Sequence, residues 1–320
     1  MSRRVLATEP VLEDALDWLT ANGLEPIRQW LGEEAPQAGD SSIVAVIVRA
    51  HPVDAELMDR YPGLRVIVKH GVGVNTIDLE AAEARGILVT NTPGANANAV
   101  AEHSVALLAA LSRDLVDADR MLRAGRFTDR FEMRQLKELT DSRVGLLGAG
   151  RIGGRIAQIL QGGYGCDISV YDPHLNPAAL TGIRYTRLDD VVELARWSDH
   201  LVVAAPLTDG TRGLVGRAVL DALGDGGALV CASRGGIVDE LAVADALAEG
   251  RLRAAALDVY DPEPPSVDHP LLARTGTVLT PHIAFASDAS MERMSWDSVR
   301  QLWDVLNGRE VPLVRPGAWG

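Results

Sequence analysis

The chain has 320 residues, 47% of them apolar and 23% charged. At roughly 100–200 residues per domain this is material for about two globular domains, and global disorder is excluded. The formal net charge of −13 argues against a nucleic-acid binder held by phosphate contacts. An anionic small substrate stays open, because a small ligand responds to the local field. Only Lys69 and Lys137 of the 31 basic residues are lysine, a bias that reflects genome composition rather than function. Cys166 and Cys231 form no CxxC pair, so neither a metal site nor a disulfide framework is indicated, and two buried thiols are expected. The start, MSRRVLATEP, lacks the apolar stretch of a secretory signal. The longest apolar runs, such as IVAVIV at 43–48, fall far short of the ~18–20 residues that span a bilayer. A soluble, cytoplasmic protein without membrane or nucleic-acid partners is expected.

In chain order, apolar runs at 43–48, 65–69 and 87–89 alternate with helical stretches at 54–60 and 78–85. This rhythm implies a small α/β domain with parallel strands. The second of these strands runs into a turn-like loop, HGVGVN. Residues 95–124 then run without Gly or Pro, with apolar positions at helical spacing up to the stop signal Gly125. A single helix of ~40 Å is expected, either a core helix or one that bridges two domains. A second and more regular block follows, with strands at 143–147, 167–171, 200–205, 228–232, 254–259 and 278–280. Helices at 151–160, 190–195 and 239–248 lie between them. Six strands wound this way match a doubly wound dinucleotide fold. A last helix covers about 289–306.

Within this block, RVGLLGAGRIGGRIAQIL carries Gly148-x-Gly150-x-x-Gly153, with Arg151 and Ile152 inside the motif. The pattern alone is weak, but here it follows a strand and opens a helix. An acid, Asp172, ends the next strand. Gly148 permits the tight turn, Gly150 lets backbone approach a pyrophosphate, and Gly153 lets helix and strand pack closely. The helix N-terminus offers unpaired N–H groups and a positive dipole end. Asp172 would accept hydrogen bonds from the ribose hydroxyls and repel a 2′-phosphate, which predicts NAD over NADP. The plain alternative is a glycine-rich turn followed by a surface Asp.

Three later strand ends carry reactive side chains: ALVCAS runs into Arg234, ALDVY leads to Glu263, and TVLT runs into His282. Ligands of doubly wound sheets sit outside the carboxyl ends of the strands, so these loops can gather around one nicotinamide ring. A guanidinium grips the carboxylate of a 2-oxo acid bidentately. Histidine supplies the proton for the forming alkoxide near neutral pH, and a carboxylate beside it orients the ring. No metal is needed. Taken singly, each residue reads as an ordinary loop charge or a structural histidine. Their joint placement after a nucleotide motif reverses that weighting.

At this point the chain resembles the D-2-hydroxyacid dehydrogenase family, on its phosphoglycerate dehydrogenase-like branch. The matching segments are HGVGVNTIDLEAAEARGILVTNTPGANANAVAEHSVALL, GLLGAGRIGGRIA, APLTDGTRGLV, SRGGIVDE, LDVYDPEP and TPHIA. The resemblance implies a doubly wound Rossmann NAD domain, residues 98–284. It would be inserted in a smaller, flavodoxin-like α/β substrate domain made of 1–97 and 285–320. Arg234 would bind the substrate carboxylate, His282 would be the acid/base and Glu263 its partner. Asp258 would contact the nicotinamide carboxamide, Pro206 and Thr211 would line the cofactor, and Val72-Gly73 would meet the substrate carboxylate. A homodimer built partly on the helix at 95–124 is implied as well. Asn75, Cys231 and Phe285 depart from the commoner residues of the family. A regulatory C-terminal domain, and feedback through one, is not expected, since the chain ends soon after His282.

Arg49 and Lys69 raise the expectation of a second anion on the substrate, such as the phosphate of 3-phosphoglycerate or a phosphonate. The alternative is that both are surface charges at strand ends. Two other functions fit the same motifs: a glyoxylate or hydroxypyruvate reductase, and a non-catalytic NAD-sensing protein like the C-terminal-binding-protein corepressors.

Overall fold

The computed structural model describes residues 2–131, 133 and 136–317. Two compact units divide the chain, one ending at Asn96 and resuming at Ala286, the other covering Ala97–Phe285. Among the described residues no helix is long and apolar enough to cross a membrane.

The first unit is built on five parallel strands, β1 (Arg3–Ala7), β2 (Leu24–Arg28), β3 (Ile43–Val48), β4 (Val66–Lys69) and β5 (Leu88–Thr90). Every residue of β3 and β4 is buried. That explains unbroken apolar runs in place of alternation: a parallel sheet covered on both faces buries both sets of side chains. The strand order is β2-β1-β3-β4-β5, the flavodoxin-like order. Helices α1 (Glu13–Ala21), α2 (Ala55–Arg60) and α3 (Leu79–Ala84) connect the strands. Asp54 and Asp78 cap the last two by accepting the Leu57 and Ala81 amides, which satisfies orphan N–H groups of the first turn. The segment before residue 40, to which no elements are assigned from sequence, contributes β1, α1 and β2.

The second unit opens with α4 (Ala97–Ser112) and α5 (Leu115–Arg123). The single long helix expected at 95–124 is therefore two. Asp114 between them has φ 51°, a left-handed conformation that Asp tolerates better than most residues and that stops an α-helix. The apolar spacing carries across the break although the backbone does not. α4 buries Ala101, Leu108 and Leu111, whereas α5 buries nothing.

Seven parallel strands follow: β6 (Arg143–Leu147), β7 (Asp167–Tyr171), β8 (Tyr185–Arg187), β9 (His200–Val203), β10 (Ala228–Cys231), β11 (Ala254–Leu257) and β12 (Thr277–Leu279). Their order is β12-β11-β10-β9-β6-β7-β8. The short edge strand β8 is one more than the sequence pattern reveals; its three residues are largely exposed and give no apolar run. Helices α6 (Arg151–Tyr164), α7 (Val191–Trp197), α8 (Arg217–Leu223) and α9 (Glu240–Ala248) cross between strands. The last helix, α10 (Asp288–Leu306), returns to the first unit, where Val299 and Leu302 join the core with Leu16 and Leu19. Both cysteines are buried free thiols.

Candidate active site

The strand order of the sheet reverses between β6 and β9, so the loops after these strands form a crevice. Gly148 follows β6 there with φ +90°, and a Cβ on it would lie 2.8 Å from the Ala205 backbone. A Cβ on Gly153 would lie 2.3 Å from the Gly148 carbonyl oxygen. Both glycines are therefore fixed by close backbone approach. Gly150, the N-cap of α6, differs: a Cβ there meets nothing within 4 Å. Gly150 therefore leaves open space at the N-terminus of α6, as close approach of a phosphate to the first-turn N–H groups would require. Asp172 directly follows β7, where its carboxylate accepts the Ala149 amide at 2.9 Å and the His174 amide at 2.8 Å. This ties it to the glycine turn, and each oxygen retains a lone pair for a hydroxyl donor. It borders a cleft of about 240 Å³ lined by Tyr171, Arg187, Leu188 and Asp189. Thr211 closes the loop after β9, its hydroxyl donating to the Pro206 carbonyl at 2.7 Å.

The loops after β10, β11 and β12 carry the reactive side chains. His282 Nδ1 lies 2.7 Å from Glu263 Oε2, and Glu263 Oε1 accepts the Tyr260 amide at 3.0 Å. Burial acts to raise the Glu263 carboxyl. The hydrogen bonds from His282 and Tyr260, with the positive charges of His282 and Arg234, outweigh it and hold the group below its ordinary value. Glu263 is therefore ionised at neutral pH and acts only as an acceptor, so His282 Nδ1 carries the proton and Nε2 is left for exchange. Arg234 donates to its neighbour's carbonyl, Ser233, at 2.5 Å. Burial works against the Arg234 charge, and Glu263 opposes that effect. The His282 backbone is left-handed, φ 52°, and its ring meets Phe285 edge to face at 6.1 Å.

Asp258 explains how that loop is held. It is fully buried at the end of β11. Its Oδ1 accepts the Thr280 hydroxyl at 2.5 Å and the Ile283 amide at 2.9 Å, and its Oδ2 accepts the Ala284 amide at 2.9 Å. Its carboxylate thus brackets His282 on both sides in sequence. His103 on α4 adds a contact, 3.2 Å from the Thr280 hydroxyl. Sequence reasoning passes over His103 and Glu240, although AEHSVALL and SRGGIVDE contain them. Neither has a local signal, because their partners lie far along the chain.

The remaining predicted residues lie in the first unit. Arg49 follows β3, and its amide, with those of Ala50 and His51, donates to the Glu9 carboxylate at 2.6–2.7 Å. Burial acts first on Glu9 and would raise its carboxyl. The Thr8 hydroxyl and the three amides overcome this and lower it. Lys69 is buried, and its ammonium donates to the Arg49 carbonyl and the Thr76 hydroxyl, so it braces the Arg49 turn. Val72 and Gly73 lie in a loop held by Asn91, which donates to the Val72 carbonyl at 2.8 Å, and by Thr92, which accepts the Gly71 amide at 3.1 Å. Their own amides have no acceptor among the described residues.

Residues 105–284 match the family model for the NAD-binding domain of D-isomer specific 2-hydroxyacid dehydrogenases. The chain belongs to this family. It is 38% identical over 283 residues to a D-3-phosphoglycerate dehydrogenase of Archaeoglobus fulgidus, covering 88% of this chain and 53% of that protein. The chain spans about half the length of the curated relatives of that name which it matches. It is also 38% identical over 268 residues to a glyoxylate reductase of Aeropyrum pernix, covering 81% of this chain and 78% of that one. Among solved structures, the NADPH-dependent glyoxylate/hydroxypyruvate reductase of Sinorhizobium meliloti in complex with citrate superposes with a TM-score of 0.84. It is 31% identical and 97% of each chain is covered. A Thermus thermophilus protein, TT0316, reaches 0.86 at 36% identity, covering 97% of this chain and 99% of its own. The dehydrogenase family match falls on the glycine turn and on all three reactive loops, and the cofactor of that domain is NAD.

Proposed function

We propose that the chain is an NAD-dependent D-2-hydroxyacid dehydrogenase that interconverts a small 2-oxo acid and its 2-hydroxy acid. The observation that carries this reading is the 2.7 Å His282–Glu263 pair, with Arg234 on the loop after the neighbouring strand β10. All three follow strands of the sheet that carries the glycine turn. NADH, when bound, supplies the hydride. The guanidinium of Arg234 holds the substrate carboxylate and polarises the carbonyl. His282 donates the Nε2 proton to the forming alkoxide, and Glu263 stabilises the imidazolium before transfer. In the oxidative direction His282 accepts the same proton. The cofactor contacts are assigned to Gly148, Gly150, Arg151, Ile152, Gly153, Asp172, Pro206, Thr211 and Asp258. Asp172 favours NAD over NADP by charge.

The substrate reading is a 2-hydroxy acid that bears a second anion, with 3-phosphoglycerate as the type. Arg49 supports it: the residue stands where the strand order of its sheet reverses, the position at which such sheets bind ligands. The free amides of Val72 and Gly73 would take a carboxylate. A glyoxylate or hydroxypyruvate reductase is the second reading. The Aeropyrum pernix glyoxylate reductase favours it, because the match covers 78% of that protein. Initial rates of NADH consumption across glyoxylate, hydroxypyruvate and 3-phosphohydroxypyruvate separate the two. Saturation only with the phosphorylated acid supports the first, and equal or better kcat/KM on glyoxylate overturns it. The state proposed for the chain is a homodimer. α5 buries no residue, and Leu122, Phe127 and Phe131 are 61%, 62% and 82% exposed, an apolar face that a second copy of this chain would cover.

A further inference from the structure

Behind the Glu263–His282 pair lies a second acid with no role in the chemistry above. Glu240 is the first residue of α9 and is buried, 7% exposed. Its Oε1 accepts the amide of Asp261 at 2.8 Å. Its Oε2 lies 3.2 Å from His269 Nε2. The other ring nitrogen, Nδ1, accepts the Leu271 amide at 3.3 Å, so the proton of a neutral ring sits on Nε2. Oε1 is thus held by the Asp261 amide, whereas Oε2 makes no hydrogen bond among the described residues and stands beside the His269 ring.

We propose that Glu240 is a positioning residue that clamps the Asp261 amide and so sets Glu263 against His282. The proposal rests on the reading of this site as the dehydrogenase centre. The segment 260–263 is short and tightly connected. Arg212 pairs with Asp261 at 2.9 Å, and the Tyr260 amide donates to Glu263. A Cβ on Gly235 would stand 1.8 Å from the Tyr260 carbonyl oxygen. The loop that carries Arg234 is therefore in backbone contact with the same segment. A shift of Asp261 moves Glu263 and presses on the neighbour of Arg234.

The cost of the arrangement argues that it serves the site. Burial raises the Glu240 carboxyl first. The Asp261 amide opposes this, and the carboxylates of Asp261, Glu263 and Asp239 add to the rise, bringing it to about 7. His269 faces it from the turn Pro270–Ala273. Tyr260 and Cys231 stand within its field. Burial first, and nearby acids after it, push the Tyr260 hydroxyl up to about 12 and raise the Cys231 thiol, so both are neutral. A buried acid among three others is an unfavourable choice for folding alone, and such choices cluster at functional sites.

The test compares Glu240→Gln and Glu240→Ala in the full chain. Gln keeps an acceptor for Asp261 and removes the charge, whereas Ala removes both. The first readout is the NMR titration of the His282 ring, which needs no turnover. Its midpoint should fall by a few tenths of a pH unit in Gln, because Glu240 is only partly ionised near neutral pH, and further in Ala, where Asp261 loses its acceptor. The second is kinetic. We expect kcat to fall about threefold in Gln and about tenfold in Ala, with NADH affinity and substrate KM within about twofold. An unmoved His282 titration in both variants overturns the proposal, whether activity holds or falls together with NADH affinity and thermal stability. If the wild type reduces no 2-oxo acid, the dehydrogenase reading fails, and the titration still decides the clamp.

Discussion

Two buried histidines make acid a specific threat to this fold. His200 begins β9, is wholly buried, and has no hydrogen-bond partner on either ring nitrogen among the described residues. Burial lowers it first, and the charges of Arg253 and Lys137 add to this against Asp199, bringing it to about 4 from 6.5. His70 is lowered to about 4 by burial, with Arg49 and Lys69 assisting and Glu9 opposing. The folded state therefore holds both rings neutral, while the unfolded chain takes up protons below 6.5. The stability these rings contribute is complete above pH 6.5 and is lost as pH falls toward 4. Between pH 8 and pH 5 each ring costs about 2 kcal/mol. Glu240 acts in the opposite sense. Its raised carboxyl means that the folded state binds its proton more tightly, so acidification across the same window returns about 2.5 kcal/mol. The net loss from these three groups is about 1.5 kcal/mol, and His200→Leu, which removes one ring and fills a similar volume, should leave a chain no less stable at pH 5 than at pH 8 with respect to them. Urea unfolding at the two pH values reads the difference directly. If His200→Leu loses as much stability on acidification as the wild type, His200 does not carry the proposed linkage.

Replacing Asp172 by Ser should raise kcat/KM with NADPH relative to NADH by about tenfold, since a lost charge near a phosphate is worth on the order of 1–2 kcal/mol; an unchanged ratio contradicts the ribose contact. Arg49→Ala should weaken kcat/KM on a phosphorylated 2-oxo acid at least about tenfold more than on glyoxylate, and equal losses on both remove the second anion site. Leu122→Glu places a charge on the apolar face of α5 and should shift the sedimentation of a dimer toward that of a monomer; a wild type that sediments as a monomer refutes the assembly.

The doubly wound sheet is legible in the sequence because six of its strands are continuous apolar runs broken by turns. The seventh, β8, is a three-residue edge strand that buries too little to leave a pattern. In the other sheet, β3, β4 and β5 are legible for the same reason. β1 and β2 are missed because Arg3, Arg4 and Glu25 interrupt their apolar positions. The break at Asp114 is invisible because helical spacing measures side-chain periodicity, and one left-handed residue leaves the residue types unchanged. Of the residues proposed for the site, Arg234, Glu263 and His282 stand out in the sequence because each follows a strand of the sheet that bears the glycine motif. The supports behind them are not. Asp258 bonds to residues 22–26 positions away, Glu240 to one 21 away, and Glu9 to turn amides 40–42 away. Such contacts exist only once the fold has brought the loops together.

The central claim is that His282, held by Glu263, exchanges the proton of a 2-oxo acid reduction. Its direct measurement is the rate of NADH oxidation by His282→Ala beside the wild type on the best substrate of the panel, with NADH affinity determined in parallel. A loss of kcat of about 10²–10⁴-fold is expected, with NADH binding within about twofold of the wild type. Turnover near the wild-type rate by His282→Ala would contradict it.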